Sequence, residues 1–454
     1  MSNLRRAVTA LGLVLVLATP VFGGGAAEAA DPDVVTVQWW THQRHDLHYV
    51  EEMLEVFNER HENINVELTS YTTGLDEALA LAFEAGTAPD TVSILPDASA
   101  YIEMGRVRPI EDYLPGDFMA KFEGYRIPNV NTWDGKFYTL PNVGHNFRFV
   151  YNREFFEEAG LDPDQPPQTW DEVIEYAEIL NEHGRTYSPR KHAFMLPIVE
   201  TWIWYQYADQ LAAVMGEWHF DYENLQFTYI NHKPILEFWM ELRDRGLLFP
   251  GALSMENDPA RAQFSEGNVG MMLAASWDVG VFNDQFPATH DWGVAHIPTP
   301  DGERRGMGQL GGGGSFWLTA AADNPEVAAQ WLAFMVDDEY LIGYYERGLG
   351  LPIRPEIAEQ AGEPAAYGFS GFADTQYDDF YPPTPPGLEL EGPDRGVVYN
   401  QIMAGEIELE EGLRDLDRRM NVALQEAMNR GAFDPEDFRI PGWNQMEPNV
   451  RPNR

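Results

Sequence analysis

Strand-like and helix-like segments alternate through the first hundred residues of the chain. Residues 34–40 are a run of β-branched and aromatic side chains typical of a strand, and residues 47–60 place apolar side chains at helical spacing. The alternation continues with a strand at 65–71, a helix at 75–85 and a strand at 91–95. It predicts βαβ units on a mostly parallel sheet, whose ligands bind at the carboxyl ends of the strands. We therefore expect a site in the loops after the first and third strands.

A second alternating sector begins near Phe147. Residues 148–151 are strand-like, and Thr169 is placed to cap a helix with Glu172 at the capping-box position. A buried strand is predicted at 269–273, and further helices are predicted at 235–245, 324–336 and, as a closing pair, 397–428. With 454 residues the chain is long enough for two or three domains, so we predict an α/β protein with two such units.

The composition excludes several classes of function. The chain has 73 acidic and 30 basic residues, and a formal charge of −43 would repel the phosphate backbone of a nucleic acid. It has no cysteine, which excludes disulfides, thiolate metal sites, a cysteine nucleophile and a lipid anchor on cysteine. A surface rich in carboxylates suits high salt, where repulsion is screened. A halophilic source is one hypothesis, and an ordinary acidic exported protein is the other.

The first thirty residues have the pattern of a signal peptide. Arg5 and Arg6 precede an apolar run at 7–18, which is too short to span a bilayer, and residues 27–30 end in small side chains. Cleavage after Ala29 or Ala30 is expected, and the arginine pair leaves a twin-arginine signal open. Because no later run of 18 apolar residues occurs, we expect no stable membrane insertion. A soluble exported protein is useful chiefly where an outer membrane retains it, so we expect a periplasmic location.

Short segments along the chain follow one another in a recognisable order. They are residues 86–90, 150–161, 167–172, 264–271 with Ser276 and Trp277 just beyond, 311–315, 324–326 and 351–354. In this order they resemble the family 1 extracellular solute-binding proteins, the sugar-capturing, maltose-binding-protein-like components of bacterial ABC importers. No single segment is specific, so the resemblance depends on the shared order.

The resemblance implies a two-lobe periplasmic-binding-protein fold of type II, with a ligand cleft between lobes joined by crossover hinge segments. By the family pattern the N-terminal lobe would hold residues 31–143 and 292–336, and the C-terminal lobe residues 144–291 and 337–454. Crossovers would lie near 141–144 and Asp291. The expected partners are a carbohydrate and the ABC permease, and a monomer is expected. The tail after Gly431 has no family counterpart and either braces the second lobe or is disordered.

Aromatic platforms are the first requirement of a sugar site, because sugars present apolar ring faces. Trp277 stands in the family's Gly/Ser-Trp motif, whose aromatic residue stacks on the ligand. Trp202, Trp204 and Tyr205 occupy a stretch that often supplies a second platform, although the spacing of the two tryptophans prevents both from facing the cleft if the segment is extended. Trp40 ends the first strand and is a further candidate. Core packing is the alternative for each.

Polar groups must bind the sugar hydroxyls. The family pattern suggests His42 and Arg44 after the first strand, Asp97 after the third strand, and His145 with Asn146 at the first crossover. Their alternatives are solvation and helix capping. Backbone amides at Gly312 and Gly313 could approach a ligand closely, since glycine allows it. Arg354 would either contact the ligand or brace the second lobe.

Metal binding, anion binding and catalysis are the other chemistries that these residues suggest. His42, His45 and His48 have a spacing that a metal could use, but a helix starting near Asp46 leaves two of them outside it. An anionic ligand such as a glycerol phosphate would need clustered arginines, and Arg44 and Arg354 are the candidates. No Gly-x-Ser-x-Gly, His-Glu-x-x-His or phosphate-loop motif occurs, so a secreted glycan-active enzyme is the weaker rival and no cofactor is implied.

Overall fold

The fold is taken from a computed structural model that describes residues 34–95, 97–312 and 315–449. The predicted signal peptide and Gly313 lie outside the described residues. The strands are β1 Val35–Thr41, β2 Ile64–Ser70, β3 Thr91–Val92, β4 Val107–Arg108, β5 Thr132–Trp133, β6 Lys136–Phe137, β7 Val143–His145, β8 Phe147–Asn152, β9 His192–Phe194, β10 Phe220–Asp221, β11 Gln226–Phe227, β12 Val269–Ala275, β13 Trp292–Ala295, β14 Gly308–Gln309, β15 Gly311–Gly312, β16 Trp317–Thr319, β17 Leu351–Pro352 and β18 Asp378–Asp379.

The α-helices connect and cover these strands, as expected for an α/β chain. They are α1 Leu47–Arg60, α2 Leu75–Ala85, α3 Ala98–Glu103, α4 Gly116–Met119, α5 Arg153–Glu158, α6 Trp170–His183, α7 Gln210–Met215, α8 Lys233–Asp244, α9 Asn257–Ser265, α10 Asp278–Gly280, α11 Pro325–Phe334, α12 Asp338–Glu346, α13 Pro355–Gln360, α14 Phe369–Ala373, α15 Arg395–Ala404 and α16 Leu409–Arg430.

The first lobe is built on a sheet with the strand order β2-β1-β3-β16-β4. β1 is parallel to β2 and β3, whereas β16 runs antiparallel between β3 and β4. Alternate residues of β1 are buried, and Trp39 packs on Trp331 of α11 with ring centroids 5.2 Å apart. The predicted βαβ beginning is therefore confirmed, and a late segment of the chain completes its sheet.

The second lobe is built on a sheet with the order β13-β8-β12-β9. Every residue of β8 and β12 is buried, because helices cover both faces. β8 is antiparallel to both β12 and β13, so the amino-terminal end of β8 and the carboxyl ends of β12 and β13 lie at the same edge. That edge faces the first lobe.

A small sheet with the order β15-β7-β17 joins the lobes. β7 pairs antiparallel with both neighbours, with Gly311 opposite His145 and Leu351 opposite Gly144. The approach at Gly312 is close: a Cβ there would lie 2.7 Å from the Gly144 Cα, and its φ of +119° favours glycine. In the described residues the chain passes between the lobes at β7 and near β15, and β17 pairs with β7 beside them, so these three strands form the hinge.

Strand pairing and packing correct the expected lobe boundaries. β13 pairs with β8, so residues 292–295 belong to the second lobe and the crossover lies further along, near β15. Residues 338–360, expected in the second lobe, pack instead on the first, since Tyr340, Tyr344 and Ile357 share its hydrophobic core. Both errors concern strands and helices that are distant in sequence from the sheet they complete.

Local sequence signals determine most helix ends. Gly86 ends α2 in the left-handed conformation at φ +70°, and Thr169 opens α6 with a capping box to Glu172. The longest helix, α16, buries one face, including Leu413, Leu416 and Leu424, on the second lobe. No helix in the part of the chain that the structure describes is both long enough and apolar enough to cross a membrane.

The tail after Gly431 packs on the second lobe, which is one of the two alternatives predicted for it. Phe438 and Ile440 are buried in the core of that lobe, and the Ile440 amide donates to the Tyr222 carbonyl over 3.0 Å. Trp443 packs on Tyr222 with ring centroids 4.7 Å apart. The tail also reaches the segment that leads to the hinge, because the Met307 amide donates to the Gln445 carbonyl over 2.8 Å.

Candidate functional site

A cleft lies between the lobes at the edges where their strands end. The carboxyl ends of β1 and β3 lie together at this edge of the first lobe, and the carboxyl end of β12, with the turn that follows it, lies at the edge of the second lobe. The sides meet where the Arg44 guanidinium lies 2.5 Å from the Asp258 carboxylate of α9. The hinge strand β7 leads into the cleft, since Ser276, next to Trp277, donates its amide to the Asn146 carbonyl over 2.9 Å.

Four aromatic side chains of the second lobe and hinge form one group, which we call the aromatic cluster: His145, Phe147, Tyr205 and Trp277. Ring centroids of His145 and Trp277 are 4.6 Å apart, those of Phe147 and Trp277 5.6 Å, and those of Phe147 and Tyr205 5.3 Å. Phe147 is buried and the other three are half-buried. Flat rings that remain open on one side are suited to stack on an apolar ligand face.

His145 is held neutral within this cluster. Burial, with a smaller contribution from the nearby His45, lowers its pKa to about 4. A neutral imidazole has one donor and one acceptor nitrogen, so it can bind a hydroxyl in either sense. Gly311 is required beside it, because a Cβ at that position would lie 2.1 Å from the His145 Nε2 atom.

The first-lobe side of the cleft is polar. The His42 Nδ1 atom lies 3.2 Å from the Ser93 Oγ, and the His42 amide donates to the same hydroxyl over 3.4 Å. Although the His42 side chain is solvent-exposed, desolvation by the surrounding protein and the nearby His45 lower its pKa. Asp97 is exposed and caps α3, its Oδ1 accepting from the Ala100 amide over 3.0 Å. Its capping role is thus observed, and a ligand contact for it stays a prediction.

Three further candidates are not members of the aromatic cluster. Trp202 is 44% exposed on the second lobe, and its indole N–H donates to Glu200 over 3.4 Å. Trp40 is half-buried and packs on Tyr71 with ring centroids 5.0 Å apart. Gly312 lies in the hinge strand β15. For these residues a ligand contact stays a prediction.

The structure corrects three of the predicted ligand contacts, because the side chains are buried and bonded elsewhere. Trp204 is 0% exposed, and its indole N–H donates to Asn400 over 2.8 Å. Asn146 is 0% exposed and donates to the Phe372 carbonyl and to Asp378. Arg354 is 1% exposed, 2.7 Å from Asp338, and braces helix α12 of the first lobe.

Both arginines considered for an anionic ligand are paired with carboxylates. Arg44 meets Asp258 across the cleft, and Arg354 meets Asp338 inside the first lobe. Burial alone would raise the pKa of Asp258, but the guanidiniums of Arg44 and Arg261 outweigh it and hold that pKa below its usual range. An anion at this site would have to displace a carboxylate from Arg44, which disfavours it.

The histidines of the β1 loop do not gather into a metal site: the His45 Nε2 lies 3.2 Å from the Tyr344 hydroxyl, and His48 is exposed on α1. Within the described ranges, the group with metal-ligand geometry is Asp209, His219 and His232, all buried in the second lobe. The Arg395 guanidinium forms an ion pair with Asp209, and this fixed positive charge opposes a divalent cation. We therefore interpret this group as a buried polar cluster.

Residues not anticipated from sequence contribute to the cleft. Ser93 directly follows β3 and contacts His42, but the predicted strand extended to residue 95 and so contained Ser93. Asp258 and Gly280 of the second lobe contact the β1 loop, and no local pattern marks them, because the contact forms only when two distant segments meet.

The chain thus has two lobes, a hinge of three strands and a cleft between the lobes. The family model of the bacterial extracellular solute-binding protein matches residues 43–341. The chain belongs to this family. Membership implies a solute and an ABC transporter permease as partners and an extracellular, periplasmic location, and the family consists of binding proteins rather than enzymes.

Sequence relatives of this solute-binding protein span most of its length. A protein of Brucella abortus (strain 2308), whose name states binding but no solute, is 26% identical over 390 residues, covering 83% of this chain and 90% of its own. The sn-glycerol-3-phosphate-binding periplasmic protein of Salmonella typhimurium is 25% identical over 384 residues, covering 79% and 82%.

Solved structures share the fold of the solute-binding protein. An ABC transporter solute-binding protein of Thermotoga lettingae, bound with α-D-tagatose, has a TM-score of 0.69 at 20% identity and covers 86% of this chain and 99% of its own. The maltose/maltodextrin-binding domain of Bdellovibrio bacteriovorus, bound to maltotriose, has a TM-score of 0.68 at 19% identity and covers 87% and 100%. The two-lobe α/β prediction is therefore confirmed.

Proposed function

We propose that this solute-binding protein captures a neutral mono- or oligosaccharide by lobe closure and delivers it to a membrane permease. The observation that supports the proposal best is the aromatic cluster, in which Trp277 and Tyr205 keep half-buried rings beside a neutral His145. The first lobe adds polar groups in the loops after β1 and β3, His42 and Ser93. A sugar has an apolar ring face bordered by hydroxyls, so it can stack on the aromatic side chains and form hydrogen bonds with the polar groups.

Binding and release would follow from the hinge. A sugar on Trp277 would be enclosed when the first-lobe loop closes over it, and closure would present both lobes to the permease. A bound solute shifts the equilibrium towards the closed form only as far as it binds the closed form more tightly than the open form. The ligand would be returned unchanged, since the family consists of binding proteins.

Glycerol phosphate is the second candidate, supported by the name of the Salmonella relative. Its phosphate would need a cation, and Arg44 is the first-lobe guanidinium at the cleft. Because Arg44 is already paired with Asp258, we place this ligand second.

A thermal-shift experiment separates the candidates. The mature protein is heated with D-tagatose, maltotriose, raffinose or sn-glycerol 3-phosphate, and a ligand that binds only the folded state raises Tm, by an amount equivalent to about 2.7 kcal/mol at a hundredfold excess over Kd. We expect a rise with a neutral sugar that is lost in Trp277→Ala. The matched control is Trp443→Ala in the tail, which should lower the starting Tm and keep the ligand-induced rise. A rise with glycerol 3-phosphate alone would contradict the neutral-sugar proposal.

A further inference from the structure

A continuous chain of ion pairs runs from the first lobe into the second. The Arg44 Nη2 lies 2.5 Å from the Asp258 Oδ2, and the Arg261 Nη1 lies 3.0 Å from the other oxygen of the same carboxylate. The Arg261 Nη2 lies 2.6 Å from Asp278 Oδ1, and Asp278 Oδ2 accepts the Ala275 amide over 2.8 Å. We call Arg44, Asp258, Arg261 and Asp278 the ion-pair chain.

Burial increases along this chain away from the cleft mouth. The Arg44 and Asp258 side chains are 28% and 27% exposed, whereas Arg261 and Asp278 are 11% and 2% exposed. The inner pair is therefore a fixed part of the second lobe, because separating buried charges is costly. The outer pair alone joins the lobes, and water can replace it when they separate.

The inner end of the chain holds the turn that carries Trp277. Asp278 follows Trp277 directly, and its bond to the Ala275 amide closes the turn after β12. Arg261 thus fixes Asp258 for Arg44 and also fixes the turn of the aromatic cluster. The Arg261 guanidinium therefore contacts both the carboxylate that joins the lobes and the residue that closes the turn of Trp277.

We propose that Arg44 and Asp258 form a closure latch, and that Arg261 and Asp278 are positioning residues that link the latch to the turn of Trp277. Closing the lobes forms the Arg44–Asp258 pair, and opening breaks it. The outer pair, being partly exposed, would shift the closed-to-open ratio by up to about fivefold. It fastens the lobes weakly enough for a solute to control the equilibrium. The link to Trp277 rests on the proposed function, whereas the latch itself does not.

Small-angle X-ray scattering of the ligand-free protein tests the latch, because the radius of gyration is larger when the lobes are open. We expect Arg44→Gln and Asp258→Asn each to raise the radius of gyration at low salt, and Arg44→Gln with Asp258→Asn together to raise it no further. Arg44→Lys, which keeps the charge, should stay close to wild type. Arg261→Gln should change the radius in the same direction as Arg44→Gln.

Arg60→Gln is the matched control. Arg60 pairs with Glu339 over 2.8 Å, but both residues belong to the first lobe, so this variant removes the same charge without touching the cleft. It should keep the wild-type radius of gyration. Circular dichroism verifies that every variant is folded before its scattering is compared.

Salt gives an independent readout. The screening length falls from about 8 Å at 0.15 M to about 3 Å at 1 M, so the difference between wild type and Arg44→Gln should shrink as salt increases. An unchanged radius in Arg44→Gln at low salt, an equal increase in Arg60→Gln, or a difference that persists in molar salt would each overturn the latch. No solute is present in these measurements, so their failure leaves the sugar proposal standing, and failure of the sugar screen leaves the latch standing.

Discussion

Gly280 of the second lobe lies directly against the main chain of His45 in the first lobe. A Cβ at Gly280 would lie 2.6 Å from the His45 carbonyl oxygen, nearer than non-bonded atoms normally approach. The lobes can touch here only because position 280 has no side chain. Closure therefore requires glycine at this position.

Gly280→Ala is therefore expected to hinder closure. A forced contact of this kind costs about 1–3 kcal/mol, so the affinity for the sugar found in the thermal-shift screen should fall by about tenfold. The Tm of the ligand-free protein should not fall, because the open form relieves the contact. Isothermal titration calorimetry measures the affinity, and Gly116→Ala is the control, since a Cβ there has nothing within 4 Å. Equal affinity in the two variants would contradict the expectation.

Trp204 and Trp202 provide a matched pair of substitutions two residues apart. Trp204 is fully buried and hydrogen-bonded to Asn400, so Trp204→Ala should lower the free energy of unfolding by about 3–5 kcal/mol. Trp202 is 44% exposed, and Trp202→Ala should change it by about 0.5 kcal/mol at most. Urea unfolding measures both, and a large loss in Trp202→Ala would show that its ring is packed.

The buried Arg148–Asp378 pair gives a third prediction. Both side chains are 3% exposed, and the nearest charged atoms are 2.5 Å apart. Asp378→Asn leaves the guanidinium buried without its counter-charge, so the free energy of unfolding should fall by about 3 kcal/mol or more. Adding Arg148→Met to that variant should recover part of the loss in urea unfolding. A double variant less stable than Asp378→Asn alone would contradict this account.

Burial of His232 makes stability depend on pH. Its Nδ1 lies 2.8 Å from the Tyr399 hydroxyl, and burial, which outweighs the opposing charge of Asp209, lowers its pKa to about 3. The unfolded chain binds a proton near pH 6.5, so between about pH 6.5 and 3 the unfolded state holds more protons. Stability should therefore be lost as pH falls through this window.

Melting temperatures measured from pH 7 to pH 4 test this expectation. His232→Gln should have a flatter dependence than wild type across that range, because it removes one group that gains a proton on unfolding. His48→Gln, at an exposed position on α1, should follow the wild-type curve. Parallel curves for wild type and His232→Gln would contradict the assignment.

Local signals explain how much of the fold the sequence predicts. Helices α1 and α2 occupy the predicted residues 47–60 and 75–85, because apolar spacing and the Gly86 cap are properties of neighbouring residues. The strand predicted at 91–95 pairs only at Thr91–Val92. The placement of β13 and β16 was beyond such reasoning, since each pairs with strands more than a hundred residues away.

The site was predictable to the level of loops. The loop after β1 and the helix that follows Trp277 do meet between the lobes, where Gly280 lies against the His45 carbonyl oxygen, as the carboxyl-end rule predicts. Which side chain of a loop faces the cleft depends on packing that the rule does not contain. The segment of Trp202 and Trp204 illustrates this, because it coils into a 3₁₀ turn at Thr201–Ile203, burying one tryptophan and exposing the other.

The position of β16 has a consequence for the order in which the molecule can be assembled. β16 lies between β3 and β4, so the sheet of the first lobe lacks an inner strand until residue 319 has been synthesised. A nascent chain that has emerged only as far as the first hinge segment therefore has no complete core to collapse around. Neither lobe is one contiguous piece of polypeptide, so neither can be isolated by simple truncation, and the first lobe can complete its core only after most of the second-lobe sequence has been synthesised.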